Sequence, residues 1–415
     1  MNFRNFFGQF FNDSYFCGLD IGSRKIKACL FFVRNPQDLD LLAVSELDTK
    51  GFQDTSVNDI SEFSSAIGSA LDILVKKTQI RFRDVYLSIG GDLVETRPSR
   101  AVIPLAERGN KVITLHDIDR VRSQARILGV RLDDDVLHDF VQQFRVDDVN
   151  IALNPLGLYG RKLEVESLLA VTNVTRMRNI SKAVKQAGFE VNKIFFGAHV
   201  LSEALLDKRQ RLDGAVLVDL GARSTQVLVY KDGLLKNYVR ADFGGEDMTL
   251  RIAQTLGVAR DLAEDIKRSY ARVSEAKSSF EDEEILIKKE QSFVPVKRLL
   301  LNNTIETEVV RLVDLINGAL RDAGISSQLK GGMVITGGGG LLPGLAERVE
   351  SACGLSVRLG RPINGLNNAA AFCACTSVAE TAYKGSGRYV FDSRKPEDWW
   401  QVFRSRLDEI CNEYF

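Results

Sequence analysis

Two stretches of the chain share one pattern of apolar and polar positions. Gly214 to Tyr230 reads Gly-Ala-Val-Leu-Val-Asp-Leu-Gly-Ala-Arg-Ser-Thr-Gln-Val-Leu-Val-Tyr, an apolar run, a polar turn and a second apolar run. Short apolar runs bounded by turn residues predict buried strands. Phe16 to Phe32 carries an imperfect copy, with Asp-Ile-Gly-Ser in its turn. A repeated strand–turn–strand unit indicates duplicated halves.

Both turns have a composition suited to phosphate. They combine an acid, a glycine and hydroxyl or basic side chains: Asp20, Gly22, Ser23 and Lys25 in the first, and Asp219, Gly221, Ser224 and Thr225 in the second. Glycine permits close approach of the backbone, N–H and hydroxyl groups donate to phosphate oxygens, and a carboxylate can hold hydrated Mg²⁺. Lys25 is alternatively a surface lysine, and Arg24 and Lys27 are interpreted as solvated neighbours.

A third segment, Gly332 to Leu345, reads as a strand, a glycine-rich turn and the start of a helix. Bare backbone at Gly337, Gly338 and Gly339 lets an adenine ring lie flat. Another glycine pair, Gly244 and Gly245, opens a helix whose N–H groups are predicted to bind an anion or a ribose. These segments together predict a nucleotide site between the two halves.

Outside these segments, the spacing of apolar residues predicts the other strands and helices. Residues 16–50 predict three strands, and Ile60–Thr78 predicts a helix with one apolar face. The segment from Asp84 to Gly160 predicts the strand Asp84–Ile89, a strand pair over Thr96–Val102 and a helix starting at His116. We find no phosphate-binding feature in it.

Both ends of the chain are amphipathic. Five phenylalanines in residues 1–11 lie at helical spacing and predict an arm that packs on the protein itself or enters a membrane interface. A terminal helix from Pro396 to Phe415 is predicted to lie at the lipid headgroup boundary; docking on the protein is the alternative. Its apolar face carries Trp399, Trp400, Phe403, Leu407 and Ile410.

Composition limits the function classes. A chain of 415 residues is too long for one core and predicts two lobes. Lys and Arg balance Asp and Glu at 55 each, so no overall field attracts nucleic acid. Six cysteines and three histidines show no metal spacing and predict reduced thiols. Without a membrane-spanning run or signal-peptide pattern, we expect a cytoplasmic protein.

The two Asp-x-Gly turns followed by the glycine turn resemble the actin, sugar-kinase and heat-shock-chaperone ATPase superfamily. Val136-Leu-His-Asp-Phe-Val-Gln-Gln-Phe-Arg-Val-Asp147, followed by Asn154-Pro-Leu-Gly-Leu-Tyr-Gly160, resembles the inserted subdomain of the bacterial cell-division FtsA family. The resemblance implies an α/β, actin-like two-lobed fold with duplicated ribonuclease-H-like cores and an inserted α+β subdomain.

The resemblance also implies the domain organisation. The first lobe comprises residues 16–83 and 171–205, and the inserted subdomain 84–170. The second lobe comprises residues 206–250 and 325–380, with an adenine-side subdomain at 251–324. An N-terminal arm at 1–15, a linker at 381–395 and a membrane-targeting helix at 396–415 complete the chain.

Several residue roles follow from the resemblance alone. Asp20 and Asp219 are expected to arrange Mg²⁺ beside ATP, and Glu203 to orient the attacking water. Glu264 and Lys267 are expected to contact ribose and adenine. An exposed helical glutamate is the alternative for Glu203, and a surface ion pair for Glu264 and Lys267. Ala222 and Arg223 replace the family's glycine pair, which predicts slow or no ATP turnover.

The resemblance finally implies an FtsA-like role at the division septum. The protein is expected to polymerise on the inner face of the cytoplasmic membrane and to bind the FtsZ C-terminal peptide and other divisome proteins. Glu308 and Arg311, in the groove expected to receive that peptide, have their charges swapped relative to the family. The rival interpretations are a PilM-like adaptor of type IV pilus assembly, which lacks the tryptophan-bearing tail, and a small-molecule kinase.

Overall fold

The computed structural model describes residues 15–35, 38–53, 55–106, 109–273, 283–289, 292–325, 329–360 and 369–383. The phenylalanine-rich arm and the predicted terminal helix lie outside this set. Among the described helices, none combines the length and the apolar character required to cross a membrane.

The described strands are β1 (Tyr15–Ile21), β2 (Lys25–Asn35), β3 (Asp38–Asp48), β4 (Phe52–Gln53), β5 (Ser56–Val57), β6 (Asp84–Ile89), β7 (Glu95–Pro104), β8 (Lys111–Val112), β9 (Asp134–Val146), β10 (Asn150–Ala152), β11 (Tyr159–Gly160), β12 (Lys162–Asn173), β13 (Glu190–Phe196), β14 (Ala215–Leu220), β15 (Thr225–Lys231), β16 (Leu234–Ala241), β17 (Glu284–Lys289), β18 (Ser292–Lys297), β19 (Met333–Thr336) and β20 (Val357–Leu359).

The described α-helices are α1 (Ile60–Thr78), α2 (Leu115–Gly129), α3 (Val174–Gln186), α4 (Gly197–Leu205), α5 (Lys208–Asp213), α6 (Gly245–Leu256), α7 (Arg260–Tyr270), α8 (Arg298–Asp322), α9 (Leu345–Cys353) and α10 (Cys373–Tyr383). Short 3₁₀ turns lie at Gly91–Leu93, Gly339–Leu341 and Ala369–Phe372. Helix α1 has the predicted bounds, because Asp59 caps its first amides and Gln79 ends it in a left-handed conformation.

Two sheets of the same topology form the two lobes. The first has the strand order β13-β6-β1-β2-β3 and the second β16-β15-β14-β19-β20. Each begins with an antiparallel three-strand meander, and its first strand also pairs in parallel with a later strand, β6 in one lobe and β19 in the other. This repetition confirms the predicted duplication.

Strand β14 shows why its sequence is continuously apolar. Leu217 packs in the core shared with the first lobe, whereas Val216 and Val218 pack in the core of the second lobe. A strand covered on both faces buries every side chain, so polar and apolar residues do not alternate along it.

The insert is an antiparallel sheet in the order β10-β9-β12-β7. Helix α2 covers it through Val121 and Ala125, which pack against Ala101 and Val165. The strand pair predicted over Thr96–Val102 is wrong, since β7 is one strand that pairs with β12. Strand β6 pairs with β1 and β13, so Asp84–Ile89 belongs to the first lobe, and the insert starts after it.

The C-terminal end of the described chain also differs from its predicted place. Helix α10 packs on β1, β2 and β6 of the first lobe, whereas residues up to 380 are predicted from the sequence to lie in the second lobe. Gly18 permits this contact, because a Cβ there would overlap the Cys375 carbonyl oxygen. The helix continues through Thr381–Tyr383, which were assigned to the linker.

Candidate functional site

The two predicted phosphate turns are built in the same way. The Gly22 amide donates to the Lys25 carbonyl oxygen over 3.0 Å, and the Gly221 amide donates to the Ser224 carbonyl oxygen over 3.0 Å. Asp20 faces Lys27 across the first hairpin, as Asp219 faces Gln226 across the second. The pseudo-symmetry therefore extends from the sheets to single residues.

Both turns open into one cleft of about 1120 Å³ between the lobes. Most of the predicted site residues line it: Asp20, Gly22, Ser23, Lys25, Asp219, Gly221, Ser224, Gly245, Glu264, Lys267, Gly337, Gly338 and Gly339. Residues predicted from separate segments of the chain are thus brought together by the fold.

Asp20 and Asp219 are two half-buried acids that line the cleft. Burial raises the pKa of Asp20, although Lys27 and a hydrogen bond with Ser88 act in the opposite direction. Burial and the charge of Asp20 raise the pKa of Asp219 to about 6, against the effects of Lys27 and Gln226. Burial and mutual repulsion disfavour the ionised form of both carboxylates. A bound cation would offset both effects, so the pair is suited to a cation.

The glycine turn meets the second aspartate. Gly337 has φ 84°, and a Cβ on it would lie 2.5 Å from the Leu220 carbonyl oxygen and 2.6 Å from Asp219 Oδ1. A Cβ on Gly338 would meet no atom of the protein within 4 Å, so this residue presents open backbone to the cleft. Geometry within the protein requires glycine at position 337 but not at 338.

The helix start at Gly244 and Gly245 has a different role from the one predicted. The Gly245 amide donates to the Gly221 carbonyl oxygen over 2.9 Å, and the Glu246 amide to the Ala222 carbonyl oxygen over 2.8 Å. Gly244 lies so close to this turn that a Cβ on it would be 2.5 Å from the Ala222 oxygen. These N–H groups therefore hold the second turn in place and are not directed at a ligand.

Glu264 is the centre of an ion-pair network at the cleft wall. It pairs with Lys267 over 2.7 Å and with Arg268 over 2.8 Å, and Thr249 donates to it. Arg24 reaches it from the first lobe over 3.4 Å. Burial acts to raise the Glu264 pKa, but hydrogen bonds from Lys267, Thr249 and Arg268 outweigh it and lower this pKa to about 2. Glu264 thus joins the lobes through Arg24, and its pair with Lys267 is part of this network rather than an isolated surface pair.

Lys25 lies in the cleft lining but already has acidic partners. Its Nζ is 2.8 Å from Asp48 and 3.8 Å from Glu46, both on β3. Its ammonium is therefore held at the edge of the first turn.

Three predicted site residues, Glu203, Thr225 and Gly244, are not among those that line the cleft. On α4, Gly197, Ala198 and Leu201 face the cleft, whereas Glu203, two residues beyond Leu201, points about 200° away around the helix and pairs with His199 over 3.7 Å. Thr225 is buried and donates to the Phe243 carbonyl oxygen over 2.7 Å. Glu203 therefore lies off the cleft, and Thr225 supports the backbone behind the second turn.

The structure adds residues that the sequence argument missed. Ser88, Gly90 and Gly91 line the cleft, although the sequence predicted no phosphate-binding feature in the segment from Asp84 and did not place it at the site. Gln226 accepts from the Gly91 amide over 2.9 Å and donates to Asp219 over 3.1 Å. The pair Gly90–Gly91 directly after the buried strand β6 was the sequence feature that could have indicated a close backbone approach here.

Lys27 and Arg24 are the other missed residues. Arg24 joins Glu264 across the cleft, and the ammonium of Lys27 donates to the Ala371 carbonyl oxygen over 2.6 Å. Lys27 could have been found from the hairpin itself, because the turn places it directly opposite Asp20.

In the groove predicted to bind a partner on α8, one of the two charged residues is buried and the other is exposed. Glu308 is buried and pairs with Arg251 over 2.7 Å, so its charge is used within the protein. Arg311 is more exposed and lies 4.8 Å from the centre of the Phe243 ring. Of the two residues with swapped charges, Arg311 is the one available to a ligand.

The fold and this cleft define an actin-like protein with two duplicated lobes. Two family models match the chain: "Cell division protein FtsA" over residues 216–377 and "SHS2 domain inserted in FTSA" over residues 91–171. The chain belongs to the FtsA family of cell-division proteins.

Similar curated proteins agree with this assignment. The chain is 29% identical to the FtsA protein of Streptococcus pneumoniae over 371 residues, covering 89% of this chain and 80% of that protein. It is 26% identical to the FtsA protein of Escherichia coli over 358 residues, covering 84% of each.

Solved structures support the fold. A chain of the PilM–PilN type IV pilus biogenesis complex aligns with TM-score 0.64 at 17% identity, over 89% of this chain and 98% of that one. MreB5 of Spiroplasma citri bound to AMPPNP aligns with TM-score 0.52 at 11% identity, over 90% of this chain and 97% of that one.

Proposed function

We propose that this FtsA-family protein binds ATP in the cleft between its lobes and, as a polymer, attaches FtsZ filaments to the cytoplasmic membrane at the division septum. The observation that supports nucleotide binding is the pair of equivalent turns facing one cleft, with a half-buried carboxylate beside each turn. The parts that concern membrane, polymer and FtsZ rest on the family.

The residues of the cleft fit a nucleotide with Mg²⁺. Asp20 and Asp219 offer carboxylate oxygens, which are the donors that Mg²⁺ prefers, and their burial favours a cation beside them. The backbone at Gly22 and Gly221, with Ser23 and Ser224, would donate to phosphates. Gly338 would lie under the adenine ring, and Glu264 with Lys267 would face the ribose. Bound Mg²⁺ would neutralise phosphate charge.

Slow turnover, or none, is part of the proposal. Arg223 lines the cleft at the second turn, where its side chain would limit the room beside the terminal phosphate. Glu203, the residue expected to orient water, points away from the cleft. The protein would accordingly use ATP mainly as a ligand that holds its lobes together.

Calorimetry with ATP and Mg²⁺ tests the nucleotide part. Asp219→Ala should weaken binding at least tenfold, because it removes a carboxylate from the proposed cation position. Asp213→Ala is the matched control, since Asp213 lies just before the same strand, with a side chain that is 44% exposed and lies 3.6 Å from Arg209. If both variants bind ATP as the wild type does, the cleft is not the nucleotide site.

The membrane part is tested with the terminal segment, which is outside the described residues. Its apolar face contains large side chains, each of which contributes roughly 1.5–3 kcal/mol on full burial. Its excess of acids over bases predicts little attraction to anionic lipid. Removing 396–415 should therefore release the protein from vesicles in flotation while ATP binding stays intact. Full binding of vesicles by the truncated chain would assign the anchor to the N-terminal arm.

A further inference from the structure

Lys27 occupies a specific place on the floor of the cleft. It lies in β2 directly opposite Asp20 of β1, and directly opposite residues of an antiparallel pair point to the same face of the sheet. Its Nζ donates to the Ala371 carbonyl oxygen over 2.6 Å and lies 5.9 Å from the centre of the Phe372 ring. The ammonium is therefore fixed between the first hairpin and the turn Ala369–Phe372.

The neighbouring bases have other acidic partners. Lys25 pairs with Asp48, and both Arg24 and Lys267 pair with Glu264. Lys27 instead lies opposite Asp20, and its charge lowers the pKa of both half-buried acids, Asp20 and Asp219, against the larger effect of burial. Its charge thus acts on the aspartate pair as a whole.

The duplicated hairpin has no charge at the equivalent place. Gln226 faces Asp219 there and donates to it over 3.1 Å. The two facing pairs, Asp20 with Lys27 and Asp219 with Gln226, therefore contain two carboxylates, one amide and one ammonium. A divalent cation placed on the carboxylates would stand near the ammonium, and the repulsion between the two is only weakly screened in a buried site.

We propose that Lys27 is the resident counter-ion of the Asp20–Asp219 pair and prevents tight binding of a free divalent cation, so that Mg²⁺ enters the cleft together with a nucleotide. The second half of this statement rests on the proposed function. The first half concerns only residues of the chain and is testable without nucleotide.

Binding of Mn²⁺ to the full-length protein, followed by electron paramagnetic resonance without nucleotide, is the test. Lys27→Met keeps an unbranched stem against Phe372 and removes the charge. It should bind one Mn²⁺ at least tenfold more tightly than the wild type, and adding Asp20→Asn to it should abolish that gain. Lys27→Arg keeps the charge and should match the wild type. Lys77→Met, at an exposed lysine of the same lobe, should also match it.

Equal Mn²⁺ affinity of the wild type and Lys27→Met would overturn the proposal. Tight binding of Mn²⁺ by the wild type would overturn it too, and this measurement needs no variant to fold. Thermal unfolding of each variant checks that its fold is intact. Because no nucleotide is present, the result is independent of the calorimetric test, so failure of ATP binding and failure of the counter-ion role can be told apart.

Discussion

Gly338→Ala distinguishes a glycine needed for ATP binding from a glycine needed for folding. Gly338 has φ −64° and ψ −33°, a helical conformation that alanine adopts without strain. A Cβ there would meet no protein atom within 4 Å. The substitution should leave the protein as stable as before or stabilise it by about 0.4–1 kcal/mol, because alanine restricts the unfolded chain.

The same Cβ projects into the space proposed for adenine. If the ring lies flat on this backbone, a methyl group displaces it from contact, and we expect ATP to bind at least tenfold more weakly. That factor corresponds to about 1.4 kcal/mol. Chemical unfolding without nucleotide and calorimetry with ATP and Mg²⁺ measure the two effects separately.

Gly337→Ala is the comparison at the adjacent position. It places a Cβ against Leu220 and Asp219 at a residue with φ 84°, so it should destabilise the protein by about 1–2 kcal/mol or more, even without ligand. Unchanged ATP affinity in Gly338→Ala would refute the position assigned to adenine. Equal loss of stability in both variants would refute the reading of the turn geometry.

Three further predictions concern other parts of the molecule. Arg223→Gly should speed phosphate release by making room at the second turn; slower release would show that the arginine assists the chemistry. Burial holds the pKa of His199 at about 3, below 6.5 in the unfolded chain, so the unfolded state gains the proton first as pH falls, and between pH 7 and pH 5 this group should cost about 2 kcal/mol of stability. His199→Gln should flatten the dependence of unfolding free energy on pH; an unchanged slope would contradict burial of the neutral ring. In vesicle flotation, Trp400→Glu should weaken binding more than Arg404→Ala, with little effect of salt; strongly salt-sensitive binding would contradict a hydrophobic anchor.

The local pattern of apolar and turn residues was sufficient to predict many of the helices and strands. The apolar period of Ile60–Thr78 predicted α1 with its observed bounds. The two Asp-x-Gly turns predicted equivalent hairpins, and the hydrogen bonds of Gly22 and Gly221 show them to be equivalent. Such features depend on residues close in sequence, which is why the sequence reveals them.

The errors arose where contacts between distant segments decide the outcome. Asp84–Ile89 was correctly predicted as a strand, but its parallel pairing with β1 places it in another subdomain. The amides at Gly245 and Glu246 resembled an anion site, yet the second turn takes their hydrogen bonds. For Glu203, the packing of α4 decides which face meets the cleft, and a helical period alone does not show this.

Co-flotation of FtsZ from the same organism with lipid vesicles and this protein tests the proposed tethering role. We expect FtsZ to float with the vesicles when the full-length protein, ATP and Mg²⁺ are present. We expect FtsZ to stay in the lower fractions with the chain truncated before Pro396, and its recovery to fall with Asp219→Ala but not with Asp213→Ala. Failure of the full-length protein to carry FtsZ to vesicles, or equal recovery with Asp219→Ala, would contradict this proposal.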